Sequence, residues 1–148
     1  MDKSTSGFLG QGWSFPPKFE VSVPPTGGPP IGLVTMVQGD ADIEQSLEIL
    51  MMTISGERIM RPTYGLGLQT HVFDVIDENN LTFLRSEIEK SVLFYEPRIE
   101  LEQVAFDTGA VLDGRIDIAL EYTVIATNTR GNKVFPYYFE EGTHVEMP

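Results

Sequence analysis

The chain has 148 residues, 41% of them hydrophobic and 10% aromatic, a length that suits one compact domain and an apolar share that excludes wholesale disorder. Twenty-two acidic residues against ten basic ones give a net charge of −12, and the basic residues are scattered from Lys3 to Lys133, which argues against a nucleic-acid partner. With no cysteine in the chain, disulfides, thiolate zinc sites and cysteine nucleophiles drop out together.

Residues 1–40 are expected to form an extended arm and linker. The first residues, Met1 to Thr5, lack the basic-then-apolar pattern of a signal peptide, so synthesis and folding in the cytoplasm are expected. No apolar run approaches the roughly 20 residues that span a bilayer, so no direct membrane insertion is expected. Six of the ten prolines fall between Pro16 and Pro30, which forbids helix and favours extended backbone. Phe8, Trp13, Phe15 and Phe19 punctuate the first half of this segment more densely than a flexible linker carries aromatics. The rings either dock on a partner or pack on the domain's own core, and Ser22–Gly32 reads as a looser connection.

A helix is predicted from Asp42, with Gln45 as its capping-box partner. Ile43, Leu47, Leu50, Met51 and Ile54 repeat at helical spacing, and Gly56 ends the run. The next stretch, to Phe73, has no clean period. A second helix is predicted from Asn79 or Asn80, buried along Leu81, Leu84, Ile88, Val92 and Tyr95 and stopped by Pro97. Three strands follow. Ile99–Phe106 loses its apolar phase between Leu101 and Val104, which indicates a bulge. Asp113-Gly114 turns the chain into Arg115–Thr127, where Ile116, Ile118, Leu120, Tyr122 and Val124 alternate with polar residues as in a half-buried antiparallel strand. Asn128–Asn132 reads as a loop and Val134–Phe139 as a third strand, which Pro136 confines to an edge. The expected fold is α+β: two helices packed on a C-terminal antiparallel sheet of about three strands, with residues 41–140 as the domain and 141–148 as a tail.

Candidates for chemistry are sparse. His71 and His144 have no ligand-spaced companions, and no metal or cofactor is expected. Glu87 and Glu89 sit two apart on a helix and cannot face each other; Glu100 and Glu102 share a strand face that solvent explains as well, and Glu140-Glu141 lies in the tail. Gly65-Leu66-Gly67 follows no strand and lacks the lysine of a phosphate loop. Glu96-Pro97-Arg98 stands out, because a rigid proline between opposite charges makes either an internal clamp or an outward pair for a partner. On the residues alone, a helix stop with flanking surface charges is the plainer reading.

In order along the chain, Leu9 to Pro17 (Leu-Gly-Gln-Gly-Trp-Ser-Phe-Pro-Pro), Asp42-Ile43, Gly56-Glu57-Arg58, Met60-Arg61-Pro62, Tyr64 to Leu68, Glu96-Pro97-Arg98, Asp113-Gly114 and Asn128-Thr129-Arg130 resemble the baseplate wedge family of contractile tails, a family often labelled lysozyme-like. Its members serve phage tails, type VI secretion and extracellular injection particles. The Glu20–Gly39 insert is longer than the family's pattern. The resemblance implies a non-enzymatic assembly protein, a sheath initiator present in six copies in the baseplate of a tail-like particle. Its implied partners are sheath subunits and other wedge proteins, with the inner tube or spike hub as a further contact. It also implies that Glu96, Pro97 and Arg98 anchor the protein to the wedge core. Extended sheath arms would add to the C-terminal strands, with Arg115, Asp117, Glu121, Thr123, Thr127, Val134 and Tyr137 as the contact set and Phe8, Trp13, Phe15 and Phe19 as the docking arm. The competing readings are a peptidoglycan-cleaving enzyme, which needs two placed carboxylates, and a generic acidic adaptor that captures peptides by strand addition.

Overall fold

The computed structural model describes residues 8–68 and 76–138. The chain divides into two units, one up to Ile49 and one from Leu50. His71, Phe73, Phe139, Glu140, Glu141 and His144 lie outside the described residues.

In the first unit the backbone is extended, as the prolines require, but it pairs with itself rather than running out as an arm. Strand β1 (Gln11–Trp13) pairs antiparallel with β4 (Met36–Gln38), and β2 (Phe19–Ser22) with β3 (Ile31–Val34). The expected loose connection contains a tight reversal instead: Gly27 N donates to Pro24 O at 3.1 Å, with Gly27 at a φ of +76° that a side chain would resist. Extended φ values serve a strand as well as a polyproline arm, so composition could not separate the two. None of the four rings is buried. Phe8, Trp13 and Phe19 are largely exposed, Phe15 less so, and Trp13 meets Phe19 edge to face at 6.3 Å.

Helix α1 (Asp40–Met52) begins two residues before the expected Asp42. Gly39 turns the chain into it, and its carbonyl accepts from Asp42 N and Ile43 N. Gln45 is drawn away from the capping box, because its Oε1 accepts from Phe15 N at 2.8 Å. Ile43, Leu47, Leu50 and Met51 are buried as the spacing predicts, while Ile54 falls beyond the helix end.

In the second unit, Leu66 N donates to Leu50 O and Gly67 N to Thr53 O, tying the connector to the end of α1. Gly65 passes so close to Thr53 that a Cβ would stand 2.4 Å from its carbonyl oxygen, which accounts for this glycine without a phosphate. Helix α2 (Glu78–Tyr95) starts at Asp77, not Asn79, because the Asp77 carboxylate accepts Asn80 N at 2.8 Å. Leu84, Ile88 and Val92 form its buried face. The sheet has the order β5 (Ile99–Asp107), β6 (Arg115–Val124), β7 (Thr129–Tyr138), all antiparallel. The bulge falls between Leu101 and Gln103. Ile116, Ile118, Leu120, Tyr122 and Val124 are buried, so the alternation in β6 reports its core face faithfully. The expected loop at 128–132 is mostly strand: β6 stops at Val124, Asn128 takes a left-handed φ of 52° in the turn, and Val124 already pairs with Thr129. Gly131 is required in β7 because the Tyr122 ring lies where its Cβ would be, 2.5 Å away.

Candidate partner-binding surfaces

The helix-to-strand junction is built by proline. Pro97 prevents α2 from continuing, and Glu96 N makes the last helical bond to Val92 O at 2.9 Å. This reversal sends both flanking side chains to the same place. Arg98 Nε and Nη2 donate to Glu96 Oε1 and Oε2 at 2.6 and 2.7 Å, a two-point charge-assisted clamp. Glu96 is only 2% exposed, and the Arg98 side chain 27%. The pair is therefore not a set of surface charges flanking a helix stop. Glu96 spends its carboxylate internally, and only Pro97 and part of Arg98 face outward. The carbonyl of Arg98 also accepts Ile125 N at 3.0 Å, which fixes the junction to the β6–β7 turn.

Strand addition needs unpaired backbone, and this separates the residues expected to take part in it by the strand that carries them. Arg115, Asp117, Glu121 and Thr123 lie on β6, which is hydrogen-bonded on both sides and can offer a partner side chains only. Even these are partly engaged: Arg115 Nε sits 3.2 Å from Asp117 Oδ1, and the Thr123 hydroxyl bonds Glu102. Thr127 is in the turn, its hydroxyl against that of Thr129. Val134 and Tyr137 are on the edge strand β7, Val134 half exposed and Tyr137 buried. Burial holds the Tyr137 hydroxyl above its ordinary pKa of 10.0.

The two sheet edges differ. Edge β5 is broken by the bulge, and Arg85 Nε, reaching from α2, already donates to Val104 O at 3.2 Å. Edge β7 keeps an unbroken register with β6 over ten residues. Proline is tolerated in a sheet where its nitrogen faces away from the ladder. Pro136 in β7 therefore marks Val134 and Asn132, two and four residues away, as sharing that outward direction.

Two surfaces escaped the sequence reading. The first is a loop after α1, in which Arg58 stacks on Tyr64 at 4.3 Å from the ring centroid. Tyr64 in turn packs edge to face on Tyr95 at 5.0 Å, and Tyr95 Oη donates to Thr63 O at 2.6 Å. Burial raises the Tyr64 pKa, opposed by the nearby Arg58 and Arg61 and reinforced by Glu96. The second is a groove of about 540 Å³ between α2 and β5, lined by Val92, Leu93, Pro97, Ile99, Leu101 and Ile125, with Glu89 and Glu100 at its margins. Its signal was present in the sequence: Leu93 is apolar off the buried stripe of α2, and Ile125 breaks the alternation of Arg115–Thr127. No group of three or more histidine, aspartate and glutamate side chains converges as a metal site among the described residues.

The sequence profile of the family described as baseplate wedge protein gp25 matches residues 37–129. Among solved structures, a candidate tail lysozyme from Geobacter sulfurreducens is 40% identical with a TM-score of 0.65, over 73% of this chain and 99% of that one. A chain of the anti-feeding prophage baseplate, 6-fold symmetrised, is 29% identical with a TM-score of 0.58, over 93% and 92%. A chain of the post-contraction pyocin R2 baseplate is 31% identical with a TM-score of 0.53, over 71% and 98%. No curated protein matches.

Proposed function

The chain belongs to the baseplate wedge protein gp25 family, and from that premise we propose that it is a structural component of the baseplate of a contractile, tail-like particle which starts the sheath by strand addition along β7. The observation that carries this reading is the continuous ten-residue β7 edge, next to a β5 edge blunted by a bulge and by Arg85. A long edge is an aggregation liability in a lone protein and a template where a partner strand is supplied. The partners are sheath subunits and other wedge proteins, and the symmetry of the related anti-feeding prophage baseplate favours six copies per particle. Glu96 and Arg98 support this indirectly: their clamp sets the angle between α2 and β5, and Pro97 with the exposed part of Arg98 meets the wedge core.

The rival reading, peptidoglycan cleavage, draws on the description of the Geobacter relative. A glycosidase acid is a carboxyl kept protonated in an apolar pocket. Among the described residues Glu96 is the buried carboxyl, and the two donors of Arg98 stabilise its anion instead. This supports the reading of a chain that acts without catalysis. Purified protein should release no soluble fragments from peptidoglycan; activity that disappears in Glu89→Gln or Glu100→Gln would establish an enzyme.

The direct test uses Val134→Pro, which removes an outward donor while sparing the β6–β7 ladder. Particles carrying it should contain baseplate and tube but no sheath by electron microscopy. Full-length sheath on particles that have incorporated the folded variant would refute templating by β7.

A further inference from the structure

The loop between α1 and α2 carries a small apolar tip that the proposed function does not use. Ile59 and Met60 are 94% and 92% exposed, bracketed by Arg58 and Arg61. The tip is held in shape rather than loose. Arg61 N donates to Arg58 O, Tyr64 N to Arg61 O, and Ser55 Oγ to Pro62 O, while the Glu57 carboxylate accepts Ile54 N at 3.1 Å. Arg58 is further fixed over the Tyr64 ring. Pre-organised exposed apolar side chains lose little entropy on docking. In a chain of net charge −12, neither Arg58 nor Arg61 forms an ion pair among the described residues.

The complementary surface is on the same protein. The groove between α2 and β5 is lined by apolar residues, of which Leu93 and Ile125 are 79% and 61% exposed, and by Glu89 and Glu100. Two guanidinium groups beside two exposed apolar side chains match two carboxylates in a groove with exposed apolar side chains. The tip's base is tied to α2 through Tyr95, and at ~100° per residue Leu93 stands about 160° round the helix from Tyr95. Leu93, on the exposed wall of the groove, thus stands on the side of α2 away from the base of the tip.

We propose that the Arg58–Arg61 tip of one copy docks in the α2–β5 groove of a second copy, head to tail. Ile59 and Met60 cover Leu93 and Ile125, and Arg58 and Arg61 meet Glu89 and Glu100. A contact of this kind uses two different patches, so it propagates and closes as a ring when the rotation between copies allows. It shares Pro97 with the surface proposed for the wedge core, but stands apart from strand addition at β7 and survives if that reading fails.

The absence of native cysteine makes the test clean. Two single variants of the full chain, Met60→Cys and Ile125→Cys, are mixed and oxidised gently, and disulfide-linked dimers are counted by mass. Both positions are exposed, so neither change threatens folding. Specific docking yields the mixed dimer in about tenfold excess over either homodimer. Adding Arg58→Glu and Arg61→Glu to the Met60→Cys chain sets like charges against the groove and abolishes the excess. A statistical mixture of the three dimers overturns the proposal, as does an excess that survives the charge reversal.

Discussion

Removing the Arg98 side chain tests the junction most sharply. Glu96 is 2% exposed and both of its oxygens are held by Arg98, so Arg98→Ala leaves a buried carboxylate without its counter-ion. Breaking a fully buried pair in this way costs about 3–5 kcal/mol. The Arg98 side chain is 27% exposed, so water reaches the site and screens part of the loss, which brings the expectation to roughly 2–3 kcal/mol. For a chain of this length each kcal/mol shifts the melting temperature by about 2–4 °C, so the variant should melt about 4–12 °C below wild type. Thermal unfolding followed by circular dichroism, with urea titration for the free energy, reads this directly. Replacing both partners, Glu96→Leu with Arg98→Leu, removes the stranded charge and should recover most of the loss. A melting temperature for Arg98→Ala within about 2 °C of wild type, or a double variant weaker than the single one, would refute the clamp.

Gly131→Ala should destabilise the sheet by about 1–3 kcal/mol in urea unfolding, since the new methyl meets the Tyr122 ring at 2.5 Å; Gly131→Ala combined with Tyr122→Leu should recover part of it. Asp77→Ala removes the acceptor for Asn80 N and should cost about 1 kcal/mol in the same assay, with Asp77→Asn or Asp77→Ser close to wild type. Alkali should unfold the protein through its tyrosines. Tyr64 and Tyr137 have pKa values raised above 10.0, chiefly by burial, so near and above pH 10 the unfolded chain gives up protons that the folded one keeps. Their contribution is fully present below that pH and is lost as pH rises through the folded values. Melting temperatures across this range should fall less steeply in Tyr64→Phe than in wild type.

Much of the architecture was legible wherever one face of an element is buried, because burial imposes a period that sequence displays. Ile43 to Met51, Leu84 to Val92 and Ile116 to Val124 all lie where helical or two-residue spacing predicts, and the phase slip in β5 and the edge position of Pro136 follow from equally local rules. The boundaries moved where a single polar contact outweighed propensity. Asp77 captured the start of α2 ahead of Asn79, and Phe15 N took the Gln45 side chain from its expected cap.

What the chain does with its surfaces depended on contacts between segments far apart in sequence. Composition alone made residues 8–38 extended, but only pairing between Phe19–Ser22 and Ile31–Val34 made them a folded-back ribbon. Alternation identified Arg115–Thr127 as the best strand, yet it could not say that neighbours occupy both of its edges and leave β5 and β7 as the outer strands. Glu96 and Arg98 read as surface charges because each is polar by itself. The proline reversal turns them onto one another, and the cost of burying an unpaired carboxylate keeps them there. Local periodicity reports which side of an element meets the core; which edge stays open and which charge is buried are properties of the whole ladder and the packed junction.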